Sequence, residues 1–339
     1  MAVGSSTPTV RDVALLAGVS QGTVSKALNG RGQLREDTHR RVQAAAEKLG
    51  FRPNHLAKSL IVGRSYTVGV LTTDSFGRFT MPLMMGIENS LGAGQVSTLL
   101  CDSRADPLRE RHYLHDLLSR RVDGLVVTGR KPDPRRSLGL LPIPVVYALT
   151  QSDDPADLSL TYDNAQGAEL AVRHLLSLGR KRIAYVGGPS RHLSTRLRQQ
   201  GAERALLSAG LTLDPRDVLV AEWSEAWGRS AAGLLTRRSP TERADGVFCG
   251  SDQIARGLAD GLRDAGVAVP DEIAIVGFDN WDVMAEGARP PLTTIDPNLT
   301  MLGQLAASRL LTAIEGGELG SGLILQRCDL VIRQSSVPR

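Results

Sequence analysis

Cysteine is rare in this chain. Cys101, Cys249 and Cys328 lie far apart and form no CxxC pair, so neither a disulfide framework nor a zinc knuckle is expected, and a reducing compartment suits the chain. Aromatic residues amount to only 4%, and there is no long polar tract. With 42% hydrophobic and 22% charged residues, the composition is that of a folded protein, not a disordered one. No apolar run approaches the length needed to cross a bilayer, and the N-terminus lacks the basic-then-apolar order of a secretory signal. The expectation is a cytoplasmic protein without a membrane partner. A GxGxxG turn after a strand and a P-loop are both missing, which removes the dinucleotide-dependent dehydrogenase and the NTPase as readings; Gly187-Gly188 alone is no substitute. His112 and His115 stand three apart on an expected helix, but no Cys or acidic third ligand accompanies them, so they read as a solvated face and no metal or cofactor is expected.

What is present begins with length: 339 residues exceed one ordinary core and imply two or three compact domains. The net charge of +4 is unevenly spread, because the first 63 residues hold nine Lys and Arg against four acids, leaving 31 basic and 32 acidic residues for the rest. Local basicity of that kind suits a polyanion, although a solvated basic face is the simpler reading of charge alone.

Val10, Val13, Ala14 and Ala17 repeat at i, i+3, i+4 and i+7, between Thr9 as N-cap and Gly18 as a C-terminal stop. Ser20 caps a second helix that turns Val24, Ala27 and Leu28 inward and gathers Gln21, Gly22, Ser25 and Lys26 on the opposite face. Two helices joined by a three-residue turn containing glycine form a helix-turn-helix, and a third helix over 36–49, with Val42, Ala46 and Leu49 on one face, closes a small core. The second helix has the chemistry of one lying in a major groove: Gln21 and Lys26 suit base edges, while Thr23, Ser25, Asn29 and the helix start at Ser20 suit phosphates. A three-helix protein-interaction module is the competing reading of the pattern by itself. Beyond Gly50, Pro53 ends the helix and Asn54 can cap a short further one through Leu60.

Val10-Arg11-Asp12-Val13-Ala14, Gly18-Val19-Ser20 and Thr23-Val24-Ser25-Lys26-Ala27-Leu28-Asn29-Gly30 resemble the headpiece of the lactose/galactose repressor (LacI/GalR) family. The segment from Pro53-Asn54 to Leu60 resembles that family's hinge helix. The resemblance implies that Asn54, Ala57, Lys58 and Leu60 contact DNA and that Leu60 wedges into the minor groove of a near-palindromic operator. Such a wedge needs two hinge helices side by side, hence a homodimer. Two departures matter: Gly22 stands where the family usually carries a base-reading side chain, and Arg35 replaces the usual Ser or Thr cap of the third helix.

From Tyr66 onward short apolar segments (67–71, 98–101, 124–128, 145–148, 182–186, 246–249 and 273–277) alternate with amphipathic ones (82–91, 108–119, 165–178, 194–209 and 253–265). That rhythm predicts parallel βαβ units, and about 270 residues are enough for two doubly wound lobes with a cleft between them. Arg121-Val122-Asp123-Gly124-Leu125-Val126, Gly179-Arg180-Lys181-Arg182-Ile183-Ala184, Val276-Gly277-Phe278-Asp279-Asn280 and Leu292-Thr293-Thr294-Ile295 extend the resemblance to the family's periplasmic-binding-protein-like (type I) core. The expected organisation is an all-α headpiece over 1–51, a hinge over 52–63, a two-lobed α/β domain over 64–333 and a tail over 334–339.

By the same resemblance, a sugar-like effector is held by Phe79, Tyr162, Arg196, Trp223, Ser251, Asp252 and Asp279, with Asp74 a weaker candidate. Aromatic faces stack on sugar C–H surfaces, and Arg and Asp pair with adjacent hydroxyls. Each aromatic could equally be a core residue, and Asp252 could equally be a helix cap. Pro297 replaces the family's common Gln. With no leucine heptad after Arg333, a dimer without a coiled-coil tetramer is expected. The implied function is a sequence-specific repressor under allosteric control, not an enzyme.

Overall fold

The computed structural model describes residues 8–28, 34–51, 64–92 and 96–337, and the chain divides into two compact units between Ser65 and Tyr66.

In the first unit, α1 (Val10–Ala17), α2 (Gln21–Leu28) and α3 (Glu36–Leu49) bury Val13, Ala14, Ala17, Val24, Val42 and Ala46 against one another. Local chemistry sets the ends of these helices. The Asp12 carboxylate accepts from the Thr9 N–H at 2.8 Å, and the Ser20 hydroxyl accepts from the Thr23 N–H at 3.1 Å. Gly18 takes φ +66° to leave α1, and Arg41 of α3 then donates to the freed Ala17 carbonyl at 2.7 Å, pinning the turn to the third helix. No side-chain cap is made by Arg35 at the start of α3.

The second unit contains two six-stranded sheets. The first has the order β13 (Gly322–Gln326), β7 (Leu158–Tyr162), β5 (Val145–Ala148), β3 (Gly124–Thr128), β1 (Thr67–Thr72), β2 (Ser97–Asp102), and all its pairings are parallel. The second has the order β14 (Asp329–Val331), β12 (Thr293–Asp296), β11 (Ala274–Phe278), β10 (Gly246–Cys249), β8 (Ile183–Gly187), β9 (Val218–Val220), antiparallel only at β12–β14. Two short strands, β4 (Pro134–Arg135) and β6 (Gln151–Ser152), pair beside the first sheet. Parallel strands buried on both faces explain the nearly continuous apolar runs read as strands.

Seven of the strands lie where the alternation of the sequence put them, within a residue at each end. β4, β6, β7, β9, β12, β13 and β14 had no such signal. Helices α4 (Thr80–Leu91), α5 (Pro107–Ser119), α6 (Asn164–Ser177), α7 (Leu193–Ser208) and α9 (Asp252–Asp264) match the amphipathic segments, while α8 (Glu225–Thr236), the short α10 (Asp282–Ala285) and α11 (Leu299–Ile314) went unread.

The chain passes between lobes three times, at Asp163, at Pro297-Asn298 and at Arg327-Cys328. These crossings are stitched together: Gln326 donates to the carbonyls of Pro297 and Asn298, and Gln166 exchanges hydrogen bonds with the backbone of Cys328. Pro297 thus contributes a carbonyl to the hinge and no side-chain bond. Within the segment expected as a C-terminal tail from 334, two residues pack on the second lobe. Ser335 and Ser336 are buried, Ser335 bonds the Ile275 carbonyl and the Thr293 N–H, and Ser336 meets His174 Nε2 at 2.8 Å. Polar residues at a chain end gave no hint of that burial.

Helix pairs in each lobe touch through glycine. A Cβ on Gly303 of α11 would lie 2.1 Å from the Leu83 carbonyl oxygen of α4, and one on Gly86 would lie 1.9 Å from that of Thr300. Gly303→Ala is therefore expected to wedge α4 from α11 and lower stability by about 1–3 kcal/mol. The urea unfolding midpoint reads this, and an unchanged midpoint would show that the helices separate freely.

Candidate functional site

A cavity of ≈ 320 Å³ lies between the lobes, at the small end of the range for small-molecule sites. Its lining comes from the carboxyl ends of parallel strands: Arg78 and Phe79 after β1, Arg130 to Pro132 after β3, Tyr162 ending β7, His192 and Ser194 after β8. Trp223 after β9, Ser251 and Gln253 after β10, and Asp279 after β11 complete it.

The floor is built on Arg198. Its side chain is almost fully buried, its guanidinium lies 3.6 Å from the centre of the Phe278 ring, and it donates to Asn164 Oδ1 at 2.9 Å, to the Tyr162 hydroxyl at 3.1 Å and to the Gly250 carbonyl. Asp279 lies 3.8 Å from Arg198 and accepts directly from Arg78. Burial raises the Asp279 carboxyl, while Arg78 and then Arg198 oppose the shift. Burial also pushes the Tyr162 phenol up to about 12, so it stays protonated. The Asp279 backbone holds φ +107°, a region disfavoured for any side chain, and its N–H is fixed on the Ile295 carbonyl at 2.8 Å. That turn re-aims the residue after the strand.

Arg78 crosses from the first lobe to the second. It bonds Asp279 and, at 3.1 Å, Gln253 Oε1, and it stacks 4.3 Å above the Trp281 ring. A second crossing is the Leu193 N–H to Asp133 Oδ1 bond at 3.1 Å. Trp223 forms a wall: its indole donates to His192 Nδ1 at 2.8 Å, and the two ring planes lie within 12° of each other. The wall needs Gly188, where a Cβ would stand 2.1 Å from the indole, so the Gly187-Gly188 pair serves an aromatic ring and not a phosphate. Burial, then Lys131, lowers the His192 pKa below its ordinary value, which favours the neutral ring.

Of the expected ligand residues, Phe79, Tyr162, Trp223, Ser251 and Asp279 line the cavity, and Arg196 and Asp252 do not. Arg196 faces solvent and donates to the carbonyls of Ser190 and Arg191. Two residues on, or 200° around the helix, Arg198 turns inward in its place. Asp252 is fully buried, accepting from the Trp281 N–H at 2.8 Å and from the Thr294 hydroxyl. Burial and then the neighbouring Asp279 raise its carboxyl. One helical step onward Gln253 reaches the cavity, while Ser251 both lines it and caps α9. Asp74 is a cap as well, accepting from the Phe79 and Thr80 N–H groups. Besides Arg198, the residues missed were Arg78, Arg130, Lys131, Pro132, His192, Ser194 and Gln253, and the available signal for these seven was position: each follows the C-terminal end of a parallel strand.

In the headpiece, Ser20, Gln21, Gly22, Ser25 and Lys26 are exposed and Thr23 is partly so. Asn29, Asn54, Ala57, Lys58 and Leu60 lie outside the described residues. His112 is exposed on α5 beside Asp116, and no group of three metal-ligating side chains occurs among the described residues.

A basic helix-turn-helix unit joined to a two-lobed α/β domain with an aromatic-walled cleft defines a DNA-binding regulator that answers to a small molecule. Residues 9–54 match the model for bacterial regulatory proteins of the lacI family, and residues 172–336 match that for the periplasmic binding protein-like domain. The ribose operon repressor of Escherichia coli (strain K12) is 33% identical over 309 residues, covering 90% of this chain and 93% of that one. The HTH-type transcriptional repressor PurR of Aliivibrio fischeri (strain ATCC 700601 / ES114) is 30% identical over 331 residues, 96% and 98% of the two chains. Among solved structures, the lac repressor dimer bound to operator and the anti-inducer ONPF matches with a TM-score of 0.78 at 25% identity, covering 98% of this chain and 99% of that one. The chain belongs to the lacI family, and it is a transcription regulator and not an enzyme.

Arg198→Met is expected to cost about 3–5 kcal/mol, because it strips a buried cation from Asp279 and leaves buried acceptors unpaired. Arg196→Met, at an exposed position, should stay within about 0.5 kcal/mol of the parent. Equal unfolding midpoints for the two would refute this assignment of the floor.

Proposed function

We propose that the protein represses transcription from a near-palindromic operator as a cytoplasmic homodimer and that a sugar-like effector bound in the cleft controls its operator affinity. The observation that carries the effector reading is the cavity itself, with Trp223 and Phe79 as flat apolar walls and the Arg78–Asp279–Arg198 cluster as its polar floor. Flat faces and bidentate polar groups together suit a ring bearing adjacent hydroxyls.

Exposed Gln21 and Lys26 read base edges in the major groove, with Ser20, Thr23, Ser25 and Asn29 on phosphates. Gly22 presents no side chain, so specificity leans on its neighbours and on the hinge residues Asn54, Ala57, Lys58 and Leu60. Dimerisation through the first lobe is supported by its edge strand β2, where Leu100 is exposed, and by Met81 and Met85, exposed on α4; the Thr98 hydroxyl on Glu88 joins strand and helix. Effector then changes how the two lobes close, the first lobes of the dimer shift, and the paired hinge segments separate or approach. By linkage the operator alters effector affinity by the same factor, typically worth about 1–3 kcal/mol.

The test is operator binding by purified protein at fixed moderate salt, with palindromic sequences upstream of its own and neighbouring genes and a panel of small molecules. Lys26→Ala is expected to cost about 1–3 kcal/mol on the operator and little on random DNA; equal losses on both would reassign Lys26 to phosphate contact. Asp279→Asn should bind operator as the parent does and no longer respond to the effector, and a variant that still responds would remove Asp279 from the site.

A further inference from the structure

The cavity is unevenly charged. Arg78, Arg130, Lys131 and Arg198 line it, against Asp279 as the sole acid among the lining residues. That acid already accepts from Arg78 and sits against Arg198, so those three charges are largely spent on one another. Arg130 and Lys131 keep their hydrogen-bond donors open. Neither donates a hydrogen bond to another described residue. Arg130 Nε and Lys131 Nζ stand 3.9 Å from Asp74 Oδ1 and Asp133 Oδ2, ion pairs beyond hydrogen-bond reach, while the other oxygen of each carboxylate accepts from the N–H groups of Phe79 and Thr80 or of Leu193.

The second lobe brings further donors to the same end. His192 uses Nδ1 as an acceptor for the Trp223 indole, which leaves the proton of the neutral ring on Nε2. The Ser194 hydroxyl lines the cavity without a hydrogen bond to any described residue. Helix α7 opens here; its N-cap, His192, makes no side-chain cap, and its first N–H, that of Leu193, is taken by Asp133. The Asp133 bond to the Leu193 N–H holds the loop after β3 against this helix start, which keeps the two sets of donors together.

Arg130, Lys131, His192 Nε2 and Ser194 thus form a cluster of donors with only one hydroxyl able to accept. A neutral hydroxyl needs an acceptor as well as a donor, whereas an oxyanion only accepts. We infer that the effector is an anionic sugar, bearing a phosphate or a carboxylate that sits among Arg130, Lys131, His192 and Ser194, with its hydroxyls at the Asp279 end. The inference rests on the cleft being the effector site.

The experiment is calorimetric titration of the full chain, at constant ionic strength, with matched trios: glucose, glucose 6-phosphate and gluconate; ribose, ribose 5-phosphate and ribonate; and inorganic phosphate alone. One anionic member is expected to bind at least about tenfold more tightly than its neutral parent, the scale of one charge-assisted hydrogen bond. Which member does so separates phosphate from carboxylate. Arg130→Gln with Lys131→Gln should bring the ratio of the anionic to the neutral affinity down to about one.

A neutral parent that binds as tightly as its anionic partners overturns the inference. So does an anionic ligand whose affinity survives the double substitution, and so does a panel in which no anionic sugar binds. Asp279→Asn separates this failure from that of the site: a neutral sugar lost in Asp279→Asn keeps the cleft and discards the charge assignment. Binding indifferent to all three substitutions discards the cleft as well.

Discussion

A guanidinium taken out of water needs partners for its N–H groups, and each of the three Arg198 nitrogens finds an acceptor in the second unit. Its bonds run to Asn164 and Tyr162 beside the first crossing, to the Gly250 carbonyl after β10, and its charge faces Asp279 after β11. The Phe278 ring supplies the remaining face. Removing water from such a charge is expensive, and the arrangement is stable only because each group is held in register by its own element. Asp279 can meet it only by accepting a disfavoured φ, and Asp252 secures the loop beyond by taking the Trp281 N–H and the Thr294 hydroxyl. The floor of the cleft is therefore one connected polar structure that ties the crossing to the sheet of the second lobe.

Above that floor, few polar contacts join the lobes. Arg78 reaches Asp279 and Gln253, and Asp133 holds the Leu193 N–H. Arg78 lines the cavity, and Asp133 and Leu193 directly neighbour the lining residues Pro132, His192 and Ser194. At the hinge, Gln326 and Gln166 bind the three crossings to one another, so rotation there moves them as a unit. Within each lobe the glycine-mediated helix contacts leave little room for internal adjustment. A ligand that alters the contacts between lobes has lobe rotation as its mechanical outlet, and this is the form of coupling a ligand-controlled DNA-binding protein requires.

The helix-turn-helix was legible in the chain alone, because cap, glycine stop and 3.6-residue periodicity are local signals, and the structure carries the caps and the stop at Thr9, Ser20 and Gly18. The βαβ rhythm of the second unit was legible for the same reason, and the family resemblance placed five of seven ligand candidates in the cavity. Local signals did not extend to α8, α11 or the last strands, whose faces are set by packing against elements far away in the chain. Nor could they decide between Arg196 and Arg198, or between Asp252 and Gln253. One or two residues along a helix change the direction of a side chain by 100° or 200°, and only the sheet beneath fixes which direction is inward. The charge of the cavity was likewise a tertiary matter. Arg78, Arg130, Lys131 and His192 are scattered over more than a hundred residues of sequence, and they converge because parallel strands deliver all their C-terminal loops to one edge of each sheet.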